Sequence, residues 1–337
     1  MVGWALAFPQ RSLADPPVFT GVPANVLVEA DASGGATINF TKPTAIDDSG
    51  HASVYCDWFP GDRFPVGTTT VTCAASDPET YEESEVSFSI LVLPHAQERS
   101  SSGAVTALLY YTKVKDVLTP LRNVHLTIIR QGKVAFQAAV PYAYPAGYGT
   151  QRSIRLLDLD GDSEPEVLLD LYSGGAHCCF SSTVYRYAGA SYQTHAHFWG
   201  NLPYRLADLN HDRKREFITA DDRFAYAFSS FAFSGFPIQI WTYDAGRFSN
   251  VTRSYPSLIR ADAARMWRDY GSLRRQRYET EGALAAWAAD QYLLHHRALV
   301  WRRLRESARA GLLTGNYRPT AYLRKLRLFL GRLGYAR

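Results

Sequence analysis

The chain changes its hydrophobic rhythm along its length. Between residues 16 and 94, apolar and polar positions alternate in short runs: "NVLVEA" (25–30), "ATINF" (36–40), "SVYC" (53–56), "TTTVTCAASD" (68–77) and "SEVSFSILV" (84–92). They are rich in Val, Ile, Thr and aromatic residues, and Pro, Gly and Asp-Ser-Gly clusters separate them. Period-2 alternation in short runs predicts half-buried strands, and several at this spacing predict an antiparallel sandwich. "SSSG" (100–103) reads as a linker. Strands resume at "AVTALLYYTKV" (104–114) and "VHLTIIRQGKVAFQAAV" (124–140), the second folding back at Gln131-Gly132-Lys133.

From Ser257 the period becomes that of a helix. "SLIRADAARMWRDY" (257–270) follows Pro256, with Ser257 as the expected N-cap. "EGALAAWAADQYLLHHRALVWRRLRESARA" (281–310) predicts one long helix ending at Gly311. "RPTAYLRKLRLFLGRLG" (318–334) puts Tyr322, Leu326, Phe329 and Leu333 on one face. Three segments follow from these shifts: 16–94, 103–256 and 257–337.

Charge divides at the same place. Residues 257–337 carry 17 Arg/Lys against 6 Asp/Glu, whereas residues 1–256 carry 19 against 26. The helical part is therefore expected either to dock on the acidic β part or to meet an anionic surface through its basic, amphipathic helices. No nucleic-acid-binding motif accompanies the charge. No run approaches the ~20 apolar residues of a membrane span. "ALA" at 5–7 looks like the end of a signal peptide whose start lies upstream.

Two acidic stretches change the picture most. "DLDGDSEPEVLLD" (158–170) places Asp158, Asp160 and Asp162 at every second position and Glu166 four residues on. Carboxylates so crowded repel one another, and a cation resolves the conflict. Ca²⁺ takes six to eight oxygens, commonly from alternate positions of a tight loop. Glu164 would add its backbone carbonyl, and Gly161 permits the turn. Fifty residues on, "DLNHDRKREFITA" (208–220) repeats the spacing with Asp208, Asn210, Asp212 and Glu216. Arg213, Lys214 and Arg215 should weaken Ca²⁺ binding there. Repetition at this period marks propeller blades or stacked sheets.

The four cysteines and the Ca²⁺ loops suit an oxidising compartment. Cys56 and Cys73 stand in separate predicted strands and are expected to bridge. Cys178-Cys179, in "YSGGAHCCF" (172–180), are read as a vicinal disulfide, as two thiols, or as metal ligands with His177.

"PPVFTGVPANVLVEA", "FTKPTAIDDSG", "FPVGTTTVTCAASD" and "VSFSILVLP" together resemble a hyalin repeat (HYR) domain across residues 16–94. That resemblance implies an immunoglobulin-like sandwich of extracellular, adhesion-associated type. "DPETYEES" (77–84) departs from the family's short Ala-Gly-Asn turn. The acidic loops resemble FG-GAP repeats of integrin-type propellers and their bacterial relatives. By that resemblance both loops hold Ca²⁺, although Ser163 and Arg213 stand where the family has Gly and both loops close with Glu instead of Asp. The fold expected is mainly β, a sandwich plus an antiparallel domain of partial-propeller type, followed by helices.

Other candidates carry less. His195 and His197, at i and i+2 of "YQTHAHFW", share a strand face as metal ligands or as solvated side chains. In "FAYAFSSFAFSGFPIQIWTY" (224–243) the aromatics read as sheet core, or as a sugar platform of Tyr226, Phe228, Phe231 and Phe233. The expected function is a secreted or cell-envelope binding protein, without catalysis, for a surface polymer, glycan or protein. The rival is a carbohydrate-active or cell-wall hydrolase using Asp221 or Asp222.

Overall fold

The computed structural model describes residues 15–48, 50, 52–78, 81–113, 115, 121–140, 144–145, 152–175 and 178–336. The chain forms two compact units, Met1–Gln97 and Glu98–Arg337.

The first unit holds β1 (Val18–Thr20), β2 (Val26–Glu29), β3 (Gly35–Thr37), β4 (Thr44–Ile46), β5 (Ser53–Cys56), β6 (Arg63–Pro65), β7 (Gly67–Ser76) and β8 (Glu83–Leu93). A four-stranded sheet runs β2-β8-β7-β5, with β2 parallel to β8. β1 pairs with β4, and β3 with β6. The alternation read in the sequence becomes the core. Val71, Cys73 and Ala75 of β7 and Phe88, Ile90 and Val92 of β8 all turn inward. Ala36 and Phe64 meet them from the β3–β6 pair, so the core lies between that pair and the large sheet. Cys56 and Cys73 are direct partners across β5 and β7, and they form a disulfide. The unusual 77–84 turn leaves the β7–β8 hairpin in register as far as Ser76 and Glu83. Tyr81 absorbs the reversal with φ +61°.

The second unit opens with β9 (Glu98–Ser102), β10 (Val105–Lys113), β11 (Leu121–Arg130) and β12 (Lys133–Ala139), an antiparallel sheet in sequence order. The Ser-rich stretch expected as a linker lies within β9 and the turn after it. Its hydroxyls are used: Ser101 Oγ meets Thr106 Oγ1, and Ser100 Oγ accepts the Leu156 N–H. Next come β13 (Tyr144–Pro145), β14 (Ile154–Leu157), β15 (Glu166–Gly175), β16 (Cys178–Tyr187) and β17 (Tyr192–Gly200). A third sheet holds β18 (Arg205–Ala207), β19 (Glu216–Ala220), β20 (Ile238–Asp244) and β21 (Arg247–Asn250). β14 to β17 and β18 to β21 follow the same path, each with an acidic loop between its first two strands.

The middle sheet is covered on both faces, which explains the unbroken apolar run after Glu166. Val167, Leu169 and Leu171 pack toward Leu109, Leu126 and Ile128 of the first sheet. Leu168 and Val184 pack toward Phe217 and Tyr243 of the third.

Four helices follow: α1 (Pro256–Gln276), α2 (Glu281–Leu293), α3 (Arg297–Arg309) and α4 (Pro319–Arg332). Pro256 occupies the first turn of α1, so the N-cap falls on Tyr255 and not on Ser257. The single long helix expected over 281–310 is two, because His295 takes φ +63° and turns the chain back. α2 is buried on all sides from Glu281 to Asp290, as a helix apolar all round must be. Tyr322, Leu326 and Leu330 of α4 are buried in this helical core, while Phe329 and Leu333 pack at its edge. The buried apolar face of α4 is thus covered by the chain itself, and outward it presents Arg324, Arg327 and Arg332 together with the exposed Leu328.

The Cys56–Cys73 bridge closes a 17-residue separation. In the chain-entropy account a loop of this size is worth about 3 kcal/mol. The pair Cys56→Ala/Cys73→Ala should lower the unfolding free energy of the first unit by roughly that amount in urea titration. An unchanged midpoint would contradict it.

Candidate functional site

The acidic loop between β14 and β15 is wound around its own carboxylates. Asp158 Oδ1 accepts the Gly161 N–H at 2.7 Å, and its Oδ2 accepts that of Ser163 at 3.1 Å. Asp162 Oδ1 takes the Glu164 N–H at 2.9 Å. Gly161 (φ +79°) and Ser163 (φ +70°) supply the left-handed residues that curl the loop. Glu166, at the first position of β15, reaches back so that Oε2 accepts the Leu159 N–H at 2.8 Å. Its other oxygen, Oε1, is buried without a hydrogen-bond partner among the described residues. Burial pushes the Glu166 carboxyl up to about 8, and the neighbouring carboxylates of Asp160, Asp162 and Asp158 push it the same way.

Asp158, Asp160 and Glu166 bring one carboxylate oxygen each to within 4.8 Å of one another. This set fits a hard cation: three carboxylate oxygens converge, and Glu166 carries a buried oxygen, Oε1, without a hydrogen bond among the described residues, whose cationic neighbour is Arg186 Nε at 3.9 Å. Of the other two expected ligands, Asp162 is engaged through its side chain, while Glu164, expected to ligate through its carbonyl, uses its carboxylate elsewhere. Asp162 Oδ2 accepts from Arg186 Nη2 at 2.9 Å, and the Glu164 side chain pairs with Arg130. Arg186 also donates from Nε to Asp160 Oδ2 at 2.9 Å. The guanidinium, reaching over from β16, supplies part of the positive charge the cluster requires.

The second loop repeats most of the first loop's bonds, but Asp208 Oδ1 lacks the amide donor that Asp158 Oδ1 has and is buried without a hydrogen-bond partner among the described residues. Leu209 N–H donates to Glu216 Oε2, Arg213 N–H to Asp208 Oδ2, and Lys214 N–H to Asp212 Oδ1. His211 (φ +63°) and Arg213 (φ +73°) take the left-handed places of Gly161 and Ser163. Chemically the loops differ. Glu216 Oε1 accepts the Tyr255 hydroxyl at 2.8 Å, so the oxygen left open in the first loop is closed here. Asn210 spends its amide on Asp212 at 2.9 Å. No triad of converging acidic oxygens forms in this loop among the described residues. Lys214 extends onto the first loop, its side-chain carbons 3.2 Å from where a Cβ on Gly161 would stand.

Of the remaining candidates, His177 and the side chain of Cys178 lie outside the described residues. Cys179 is disulfide-bonded. His195 and His197 share a face that is half-buried against aromatic rings and not a solvated surface. His197 stacks among Trp199 (4.0 Å), Trp241 (4.4 Å) and Phe248 (4.7 Å), and His195 lies against Tyr243. Burial holds the His197 imidazole down, to about 4. The aromatic run after Arg223 becomes strand only from Ile238, where β20 begins and Tyr243 joins the sheet core. Before that it forms short 3₁₀ turns at Asp222–Phe224 and Phe231–Phe233. Phe228 is buried in the helical core, Tyr226 is exposed against Phe231, and Phe233 stacks on Tyr278 at 4.9 Å. Alternation therefore does not present these four as one platform.

Asp221 and Asp222 stand where β19 ends, on the wall of a cavity of about 760 Å³. Asp221 is held by Arg223 through two bonds (2.7 and 2.6 Å) and by the Tyr335 hydroxyl at 2.8 Å. Asp222 Oδ1 takes the backbone and side-chain N–H groups of Asn201. Both acids are fixed by protein donors. The cavity was not legible from any local motif, because β17, β19, β20, the segment after β21 and the C-terminus after α4 all contribute to its wall.

Comparison with known proteins finds one family match, within the first unit. Residues 14–92 match the HYR domain. A stretch of 78 residues is 37% identical to hyalin of Strongylocentrotus purpuratus, covering 23% of this chain and 6% of that protein. A probable thylakoid lumen protein of Synechocystis sp. is 34% identical over 147 residues, 42% of this chain and 43% of its own length. That match is longer than the HYR segment, so the likeness extends beyond it. An uncharacterized protein of Sinorhizobium fredii is 26% identical over 188 residues, 52% of this chain and 28% of its own. In each case this chain spans less than half the relative's length.

His197 gives a pH signature. Its folded value, about 4, lies below the ordinary 6.5, so its neutral form contributes stability above pH 6.5, lost as pH falls toward 4. His197→Phe keeps the stacking and removes the proton site. Between pH 6.5 and 4, its unfolding free energy should fall less than that of the parent chain. Parallel curves would contradict the buried neutral imidazole.

Proposed function

We propose that this is a secreted or cell-envelope binding protein of adhesion type, with one structural Ca²⁺ in the loop 158–166. The observation that carries the reading is the HYR match over residues 14–92. The disulfide inside that segment supports an oxidising, extracytoplasmic setting. The likeness to hyalin and to a probable lumen protein points the same way. The second unit then offers the binding surfaces. Arg302, Arg305, Arg324, Arg327 and Arg332 are exposed on α3 and α4 and suit an anionic polymer or membrane surface. The reading includes no catalytic step; Asp221 is tied to Arg223, and Asp222 Oδ1 to Asn201.

In this reading Asp158, Asp160 and Glu166 hold the ion. The FG-GAP likeness of the loop supports the assignment, and so does the open Glu166 Oε1. The ion supplies positive charge to a loop that otherwise borrows it from Arg186. The second loop, closed by Tyr255, keeps only the shape.

Two measurements test this. Millimolar Ca²⁺ should raise the Tm of the full chain above its value in EDTA, by about 2–4 °C per kcal/mol of linked binding energy. Asp158→Asn should abolish the rise, and Asp208→Asn should leave it intact. No rise in the parent chain would remove the ion from the account. Separately, labelled full chain should bind isolated bacterial envelopes saturably; retention no greater than that of an unrelated protein of equal charge would contradict the adhesion reading.

A further inference from the structure

The cavity beside β19 has a lining that specifies the chemistry of its occupant. Its volume, about 760 Å³, falls within the roughly 300–1,000 Å³ usual for small-molecule sites. Its charged side chains balance: Asp221 and Asp222 against Arg223 and Arg253. Asp221 and Arg223 already neutralise each other at 2.6 Å. The charged side chains of the lining therefore sum to zero and do not favour an ion of one sign overall.

The uncharged polar groups are oriented, and their orientation follows from elementary donor rules. Trp241 Nε1–H can only donate, and it meets the Gln239 amide at 3.0 Å. The atom it meets must be the oxygen Oε1. The N–H and hydroxyl of Thr252 meet the Asn250 amide at 3.1 and 2.7 Å. The backbone N–H fixes that atom as Oδ1 by the same rule. Both amides thus leave their NH₂ groups available, and neither NH₂ has a partner among the described residues. Asp222 is placed as an acceptor on the same wall. Gly200 makes room for it: the backbone there has φ +75°, and an added Cβ would stand 2.1 Å from Asp222 Oδ2. Only glycine allows that approach.

Beside these polar groups lie aromatic surfaces. Trp241 is half-buried, and Phe198 is 62% exposed. Trp199 behind them is buried and locked, its Nε1–H donating to Ser182 Oγ at 2.8 Å. A purely apolar occupant would strip water from two NH₂ groups and a carboxylate and return nothing. An ion would find no net charge. An uncharged ligand with many hydroxyls and an apolar ring face satisfies every group.

We infer that this cavity binds a neutral saccharide unit, with Trp241 and Phe198 under the sugar ring, the amides of Gln239 and Asn250 donating to hydroxyl oxygens, and Asp222 accepting from a hydroxyl. The inference rests on the adhesion reading for its setting and gives that reading a ligand class.

The test uses the full chain and four neutral probes: chitopentaose, mannopentaose, maltopentaose and xylopentaose. Tryptophan fluorescence and saturation-transfer NMR follow the titrations. At least one probe should saturate with a Kd of about 1 mM or tighter. Gln239→Glu and Asn250→Asp keep the oxygen that holds Trp241 or Thr252 and exchange only the free NH₂ for an oxygen. Each should weaken binding about five-fold or more, with circular dichroism and Tm unchanged. Saturation by none of the four, tighter binding of trigalacturonate than of any of them, or binding indifferent to both substitutions would overturn the inference. If envelopes still bind the chain while no neutral probe does, the cavity assignment fails and the adhesion reading stands. If a probe binds in the cavity and envelopes do not, the reverse holds.

Discussion

The second unit depends on a carboxylate that turns back under its own loop. Glu166 and Glu216 each begin a strand, and each returns an oxygen to the amide of a leucine seven residues earlier. That one bond closes the loop, sets the register of the first strand pair and starts the second strand as a buried element. A carboxylate so placed loses its hydration, and its second oxygen requires either a proton, a donor or a cation. The two loops meet this demand differently. Tyr255 donates to Glu216, whereas Glu166 Oε1 has no hydrogen bond among the described residues and only the Arg186 guanidinium at 3.9 Å, beside Asp158 and Asp160. From the same constraint, one copy of a repeated motif becomes a structural turn and the other a cation site in the proposed reading.

The consequences run along the strands. β19 leaves the closed loop at Glu216 and ends at Ala220, delivering Asp221 and Asp222 to the cavity wall. Tyr255, which closes that loop, directly precedes α1, so the loop is tied to the start of the helical layer. The middle sheet transmits the arrangement because its side chains are held on both faces. Behind the cavity, Trp199 is fixed through Ser182 to the buried Asp170, which Arg155 and Tyr204 also hold. Burial raises the Asp170 carboxyl even against these stabilising donors, so the network's cost is offset by its geometry only while every member is present.

Much of this was legible in the sequence, and what was not has a common cause. The first unit's strands follow from period-2 alternation, since Val71, Cys73, Phe88 and Ile90 are buried where the pattern puts them. The spacing of the two acidic loops is equally local, and so is most of their hydrogen bonding, as in the return of Glu166 and Glu216 to Leu159 and Leu209. Their difference is not local. Tyr255 lies 39 residues from Glu216, and Arg186 lies 24 from Asp162. The aromatic run 224–236 misleads because its residues alternate like a strand, yet Phe224 and Phe228 pack on Phe329 and Tyr322 of α4, a helix that begins at Pro319. The long helix breaks at His295 without a Gly or Pro to announce it. Pairings made by distant segments leave no period to read, and the cavity is the extreme case.

The most direct test of the account is the number and position of cations bound by the second unit. Crystals of the full chain grown with Ca²⁺ and measured for anomalous scattering would give both. The account predicts one ion, in the loop 158–166, with Glu166 Oε1 among its ligands and Tyr255 still on Glu216. Ions in both loops, or none in either with Arg186 still spanning Asp160 and Asp162, would contradict it.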